Sequence, residues 1–297
     1  MHFSKSRLTS AVLRQVDTRI PSAVEEEVRS IHRGMFPDGD RALVSRAFDW
    51  VTQCFSGRYE QYQAIDARYH DLEHTLQGTL CFARLLQGCH RARATPELTT
   101  KMFELGLLAI LFHDTGYLKE RGDTEGTGAK FTLIHVDRSA QFARLFLSAK
   151  GYAEGEIKAI QNMIHCTGVN VNLSAIAFAS DLERNVGFAL GTADLLGQMA
   201  AHDYIDKLPI LYLEFAESAR YNAGKATAVG TFTSADDLMR KTPIFWEKYV
   251  LPKINTNFLG LYKYLNEPYP DGPNYYLQRI EGNFARLRQQ LAGGPAA

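Results

Sequence analysis

No excess of charge of either sign marks this 297-residue chain: 33 basic residues balance 33 acidic ones. A general nucleic-acid binder needs a basic face to displace counterions from phosphates, so a polymeric nucleic-acid partner is not expected. A local basic pocket for one small phosphorylated ligand stays compatible with a neutral total. The four cysteines, Cys54, Cys81, Cys89 and Cys166, form no CxxC pair and sit among apolar neighbours. That pattern points to buried, reduced thiols. The longest apolar stretches, such as 105–112, are far too short to span a bilayer, which takes roughly 20 residues. Residues 1–11 carry charge without an apolar centre, so no secretory leader is expected and the chain reads as cytoplasmic, with no membrane partner. Internal repeats, low-complexity tracts and long linkers are also missing.

What is present is ordinary globular material. Hydrophobic residues make up 45% and charged residues 22%, and a chain of this size buries roughly three-quarters of its unfolded surface without needing disulfides. Helical periodicity dominates and few segments alternate with a strand period. In 41–55, residues Leu43, Ala47, Phe48, Val51 and Phe55 fall on one helical face. Similar stripes predict helices over 75–87, 97–112, 132–150, 154–165, 175–184, 187–201 and 204–221. Residues 121–130 read as a glycine-containing loop that folds over a site, and 224–234 as a flexible loop. Residues 236–265 and 275–291 read as further helices, and 293–297 as a frayed tail. The expectation is an all-α chain: 1–68 as N-terminal helices, 69–222 as the core and 223–297 as a C-terminal helical extension, in one structural domain. The aromatics Phe245, Trp246, Tyr249, Phe258, Tyr262 and Tyr264 pack on the bundle or bury a homodimer face.

The chemistry lies in where the histidines fall. His70 and His74 are one helical turn apart, and Cys81 and Leu85 continue roughly along their stripe, so that face points inward. An apolar run at 107–112 delivers adjacent His113 and Asp114, which can reach one point only where the helix ends, and Thr115-Gly116 supplies that end. His135 opens a helix and His165 closes one. Asp194 sits inside an almost wholly apolar helix, where a carboxylate is rarely buried without a partner; Arg184 is one candidate partner. Imidazoles and carboxylates spread over several helices form a ligand set for Fe, Mn, Zn or Mg inside a bundle.

The order His74, His113-Asp114, Asp194 on apolar helices resembles the HD-domain superfamily of metal-dependent phosphohydrolases, over roughly Tyr69 to Ala201. The resemblance implies an HD-domain helical bundle with additional C-terminal helices, and makes 69–222 its metal-binding core. The run Tyr69-His70-x-x-x-His74 is similar to the motif of class I cyclic-nucleotide phosphodiesterases, where the first His is the general acid and the second a metal ligand. His70 and His74 take those roles by resemblance. That family has a further His shortly after its His-Asp pair, where this chain reads Thr115-Gly116-Tyr117-Leu118-Lys119. His135 and His165 are similar instead to the extra ligands of bimetallic HD proteins. There, four His and two Asp hold two divalent metals, and Asp114 would be the bridging carboxylate. Asp181 is the competing candidate for the last carboxylate.

The implied activity is a metal-dependent phosphohydrolase, a phosphodiesterase acting on a nucleotide-like or cyclic nucleotide ester. A metal-activated hydroxide would attack phosphorus, and His70 would protonate the leaving oxygen. Asp71, Glu73 or another carboxylate would orient the imidazole. Lys119, Arg121, Lys130 and Arg138 are candidate phosphate contacts, and Asn162 and Gln161 could read a base or sugar. Two alternatives stand beside it: an HD-type diiron oxygenase with the same ligands, cleaving a C–C or C–P bond, and a non-catalytic HD ligand-binding or sensor module that keeps the fold with incomplete metal ligands.

Overall fold

A computed structural model describes residues 15–59, 61–169, 171–223 and 232–292. Among these residues the chain is all-α, as the periodicity predicts. Ten α-helices are joined by short 3-10 and π turns, and pairing of strand type is limited to isolated bridges such as Tyr62–Glu120. The helices are α1 (Pro21–Met35), α2 (Leu43–Phe55), α3 (Leu72–Arg91), α4 (Thr100–Phe112), α5 (His135–Ala149), α6 (Glu154–His165), α7 (Asp181–Met199), α8 (Tyr204–Tyr221), α9 (Ala235–Phe245) and α10 (Tyr275–Ala292). None of them is long and apolar enough to cross a membrane.

Side-chain caps set several starts. Asp71 accepts from the His74 N–H at the head of α3, and Thr99 from the Met102 N–H at the head of α4. Each cap takes up one of the amides a helix start leaves unpaired. Ser180 does the same for Glu183 in α7. This corrects the expected helices at 175–184 and 187–201, which form one helix starting at Asp181. Within that helix, a Cβ on Gly187 would lie 2.9 Å from Cys166 Sγ, so the glycine serves the approach of α6. The single helix expected over 236–265 is also corrected. It ends at Phe245 and continues as two π turns and a 3-10 turn. Leu259 and Gly260, with φ of 57° and 67°, interrupt it.

From Leu105 to Phe112, helix α4 is apolar all round and buried. Each large apolar side chain in that run stabilises the fold by roughly 1.5–3 kcal/mol on burial. Helices α3 and α7 pack most extensively, while α1 covers α3, α2 covers α4, and α5 pairs with α6. Helix α10 lies on α7 and α8. A single hydrophobic cluster runs from Val24 to Leu287, so α1 and α10 share the core of the middle. Phe258 is fully buried against Phe188 and Trp246 meets Phe284, so these C-terminal aromatics pack on the bundle. All four cysteines are free. The loop expected at 224–234 lies outside the described residues as far as 231, and the tail at 293–297 lies outside them altogether.

Candidate metal centre

Three helices converge on one point. His74 is on the first turn of α3, His113 follows the last residue of α4, and Asp194 projects from α7. The His-Asp pair solves its divergence as the sequence predicts. His113 keeps helical angles (φ −62°, ψ −25°), while Asp114 leaves them (φ −109°, ψ 7°) and starts a 3-10 turn at Thr115–Tyr117. Gly116 then allows direct contact with the head of α5. A Cβ there would stand 2.0 Å from the carbonyl oxygen of His135, and its N–H donates to Ser139 Oγ. That close approach brings His135 beside Asp114.

The four side chains form a closed ring of alternating sign. His74 Nε2 lies 3.3 Å from Asp114 Oδ2 and 3.3 Å from Asp194 Oδ1. His113 Nε2 lies 3.3 Å and 3.4 Å from the same two oxygens. All four residues are buried. Neither His113 Nε2 nor Asp114 Oδ2 has a hydrogen bond, so these are contacts of charge and not of donor geometry. The centre of a four-sided ring with such edges lies on average no more than about 2.4 Å from its corners, close to the ~2.0–2.2 Å of imidazole and carboxylate bonds to zinc. The ligand atoms of His74, His113 and Asp114 lie within 4.8 Å of one another, a spacing able to hold a metal ion. The residues present therefore fit a divalent cation.

Electrostatics agree with a shared charge site. Burial pulls His74 down, but Asp114 and Asp194 more than offset it and hold it up at about 9. His113 is pushed well above its ordinary range by the same carboxylates against the same burial. Burial raises Asp114 and Asp194, yet His113 and His74 keep both below the usual carboxylate range. Two buried carboxylates thus hold two positive partners, and a divalent cation can replace the two protons.

A second group borders the ring. His135 Nε2 lies 3.8 Å from the other oxygen of Asp114, and burial lowers its pKa, with Asp114 opposing. His70 Nδ1 contacts Glu214 Oε2 at 2.6 Å, and Glu214 also accepts from the Tyr69 N–H at 2.7 Å. Burial raises the Glu214 carboxyl, and His70 outweighs it, leaving a net lowering. Tyr117 stacks on both imidazoles, 4.4 Å from His70 and 4.7 Å from His135 between ring centres, and the two imidazoles are themselves 6.1 Å apart.

Sequence reasoning missed Glu214. It lies 144 residues from His70, and only its place between Leu213 and Phe215 hinted at burial. The carboxylates expected to orient His70 are used elsewhere. Asp71 caps α3, and Glu73 pairs with Lys207 at 2.8 Å.

Several other expectations are corrected. His165 is not in the ring: its Nε2 faces Asp137 at 3.2 Å on a partly exposed surface. Asp181 is exposed and pairs with Arg184, so neither residue enters the centre. Lys119 is buried against Asp66 at 2.8 Å and donates to the Gly126 carbonyl. Arg138 spends its guanidinium on the Gly116 and Leu118 carbonyls and covers the Phe131 ring. It braces the turn after Asp114. Asn162 donates to Ala177 O and Glu183 Oε1, and Gln161 to Ala140 O. Lys130 is paired with Asp123 and Arg121 donates to Gly57 O. The 121–130 loop is pinned by Thr127 to Glu217 and by the Gly128 N–H to Asp66.

One comparison with known proteins gives a family. A family model described as Npun_R2479-like matches residues 46–267, which is 222 of 297 residues and includes every residue of the centre. No curated protein matches the chain.

Proposed function

We propose that this chain, which belongs to the Npun_R2479-like family, is a metal-dependent phosphohydrolase of HD type that acts on a phosphodiester. The observation that carries the reading is the buried ring of His74, Asp114, His113 and Asp194 with edges of 3.3–3.4 Å. A bound divalent cation supplies Lewis acidity there, polarising a phosphoryl group and making hydroxide available near neutral pH.

The chain's own residues do the rest. His113 donates Nδ1–H to the Ile110 carbonyl at 2.7 Å, which leaves Nε2 as a lone-pair donor. Asp114 turns one oxygen to the ring and the other to His135, so it would offer a ligand atom to a cation held in the ring while keeping contact with His135. Glu214 holds His70 by Nδ1, which leaves Nε2 to give its proton to a leaving alkoxide. Tyr117 stacks on the His70 and His135 rings and so holds the orientation of both.

The test is elemental analysis of purified protein, followed by bis-aryl phosphodiester hydrolysis with each of Mn²⁺, Fe²⁺, Zn²⁺ and Mg²⁺. Metal content near one or two equivalents with metal-dependent release of the aryl alcohol supports the reading. Protein that takes up no metal under any condition overturns it.

One observation favours a second reading. Lys119, Arg121, Lys130 and Arg138 are engaged with internal partners, so none of these candidate cations is placed to receive a phosphate. A diiron oxygenase with the same ligands needs no such cation, and oxygen uptake by the iron-loaded protein without phosphatase activity would select it.

A further inference from the structure

Three of the four imidazoles around the centre have a protein acceptor on the nitrogen that faces away. His70 Nδ1 meets Glu214 Oε2, His113 Nδ1 meets Ile110 O, and His135 Nδ1 meets Thr132 O, at 2.6–2.7 Å. His74 differs. Its Nε2 faces Asp114 and Asp194, and no described residue hydrogen-bonds its Nδ1. A ligand imidazole nearly always has its second nitrogen anchored, because that bond sets tautomer and ring orientation.

Behind His74 lies a cavity of about 10 Å³, room for a single water. Tyr69, Gln77, Gln198, Asp203 and Lys207 share its wall with His74. Two wall residues bring unmet polar atoms: the Gln77 amide nitrogen and Asp203 Oδ1 have no hydrogen-bond partner, and Gln77 is only 6% exposed. Two neighbouring polar groups are already engaged. Tyr69 OH donates to Gln198 Oε1 at 2.8 Å, and Lys207 reaches Glu73 at 2.8 Å and the other Asp203 oxygen at 3.3 Å.

We propose that this cavity binds one ordered water, and that Gln77 and Asp203 act through it as positioning residues for His74. The water accepts the Nδ1–H of His74 and an amide N–H of Gln77, and donates to Asp203 Oδ1. One tetrahedral molecule thereby meets three groups that no protein atom meets. With Nδ1 carrying the proton, the Nε2 lone pair is directed between Asp114 and Asp194. Asp203 immediately precedes α8, so the water couples the ligand on α3 to the α7–α8 junction. The consequence for metal affinity rests on the metal reading above. The water and its bond to His74 do not.

Two measurements on the full chain test this. A high-resolution crystal structure of the metal-free protein should show one water within hydrogen-bond distance of His74 Nδ1, Gln77 and Asp203. An empty cavity, or a different partner on Nδ1, overturns the proposal. Zinc titration of wild type, Gln77→Met and Asp203→Asn should show Kd weakened roughly 10–100-fold in Gln77→Met. In the zinc-loaded protein, the ¹⁵N shifts of His74 should move in both variants. A purely structural role for Gln77 would lower the melting midpoint and leave those shifts unchanged, which would also overturn the proposal. If wild type takes up no zinc, the metal reading fails and the crystallographic water alone decides.

Discussion

Gly197→Ala should damage the metal centre from a distance. Helices α3 and α7 carry His74 and Asp194, and Gly197 lies where the two backbones touch. A Cβ at this position would stand 2.6 Å from the Gln77 carbonyl oxygen, 2.8 Å from its carbon and 2.8 Å from the Gly78 nitrogen. Backbone atoms cannot swing aside, so the helices must separate by roughly 0.6–0.8 Å to restore ordinary contact, an overpacking that costs about 1–3 kcal/mol. For a chain of this size that lowers the melting midpoint by roughly 2–4 °C per kcal/mol. Ligand constellations tolerate displacements of only about 0.5 Å, so the His74–Asp194 edge should open beyond use and zinc affinity fall at least ~10-fold. The control lies on the facing helix. A Cβ at Gly78 would meet Ile110 Cδ1 at 3.5 Å, Asp194 Cα at 3.7 Å and Ile110 Cγ1 at 3.9 Å, all ordinary contacts. Gly78→Ala should therefore bind zinc as wild type does and gain up to about 1 kcal/mol of helix propensity. Thermal unfolding and calorimetric zinc titration of the three proteins decide the matter. Equal behaviour of the two variants would refute the argument from backbone contact.

Four further outcomes follow from the same geometry. Chelation should lower the melting midpoint of wild type, since free metal at 100 times Kd adds about 2.7 kcal/mol; in Asp194→Ala the chelator should make no difference, and an equal drop there would remove Asp194 from the ligands. Glu214→Gln should keep its metal content by elemental analysis while phosphodiester turnover falls roughly 10²-fold; loss of metal would instead make the His70–Glu214 pair part of ligation. Lys119→Met should lower the urea midpoint, because it removes the ion pair to Asp66 Oδ2 and the hydrogen bond to the Gly126 carbonyl, and should leave the phosphodiester KM unchanged; a raised KM would restore Lys119 as a substrate contact. His32 is buried with an unpartnered Nε2 beside Phe36 and Phe103, and burial lowers its pKa, with Asp40 opposing and Arg33 adding to the effect. The unfolded chain therefore takes the proton first, so the stability His32 contributes is complete above about pH 6.5 and is lost as pH falls below it. His32→Phe should flatten the decline in urea midpoint just below that pH, and an unchanged decline would show that another group governs it.

The helices and the identity of the ring were legible in the residues themselves. Apolar stripes at helical spacing mark a face that must be buried, and a histidine or carboxylate at the edge of such a face needs a partner wherever the helices meet. That local logic was enough for His74, His113, Asp114 and Asp194, because each carries its own contradiction: a polar group delivered by an apolar helix. It was not enough for His165, which has no such contradiction and pairs with Asp137 at the surface. Nor could it recognise that Lys119 and Arg138 are structural, since an exposed cation and a buried brace have the same spelling. Only the tertiary structure joined His70 to Glu214 across 144 residues and stacked Tyr117 on two imidazoles. The physical reason is range. Periodicity and capping act over a few residues and are written in the local sequence, whereas the partner of a buried charge is settled by which distant helix the packing brings within 3–4 Å.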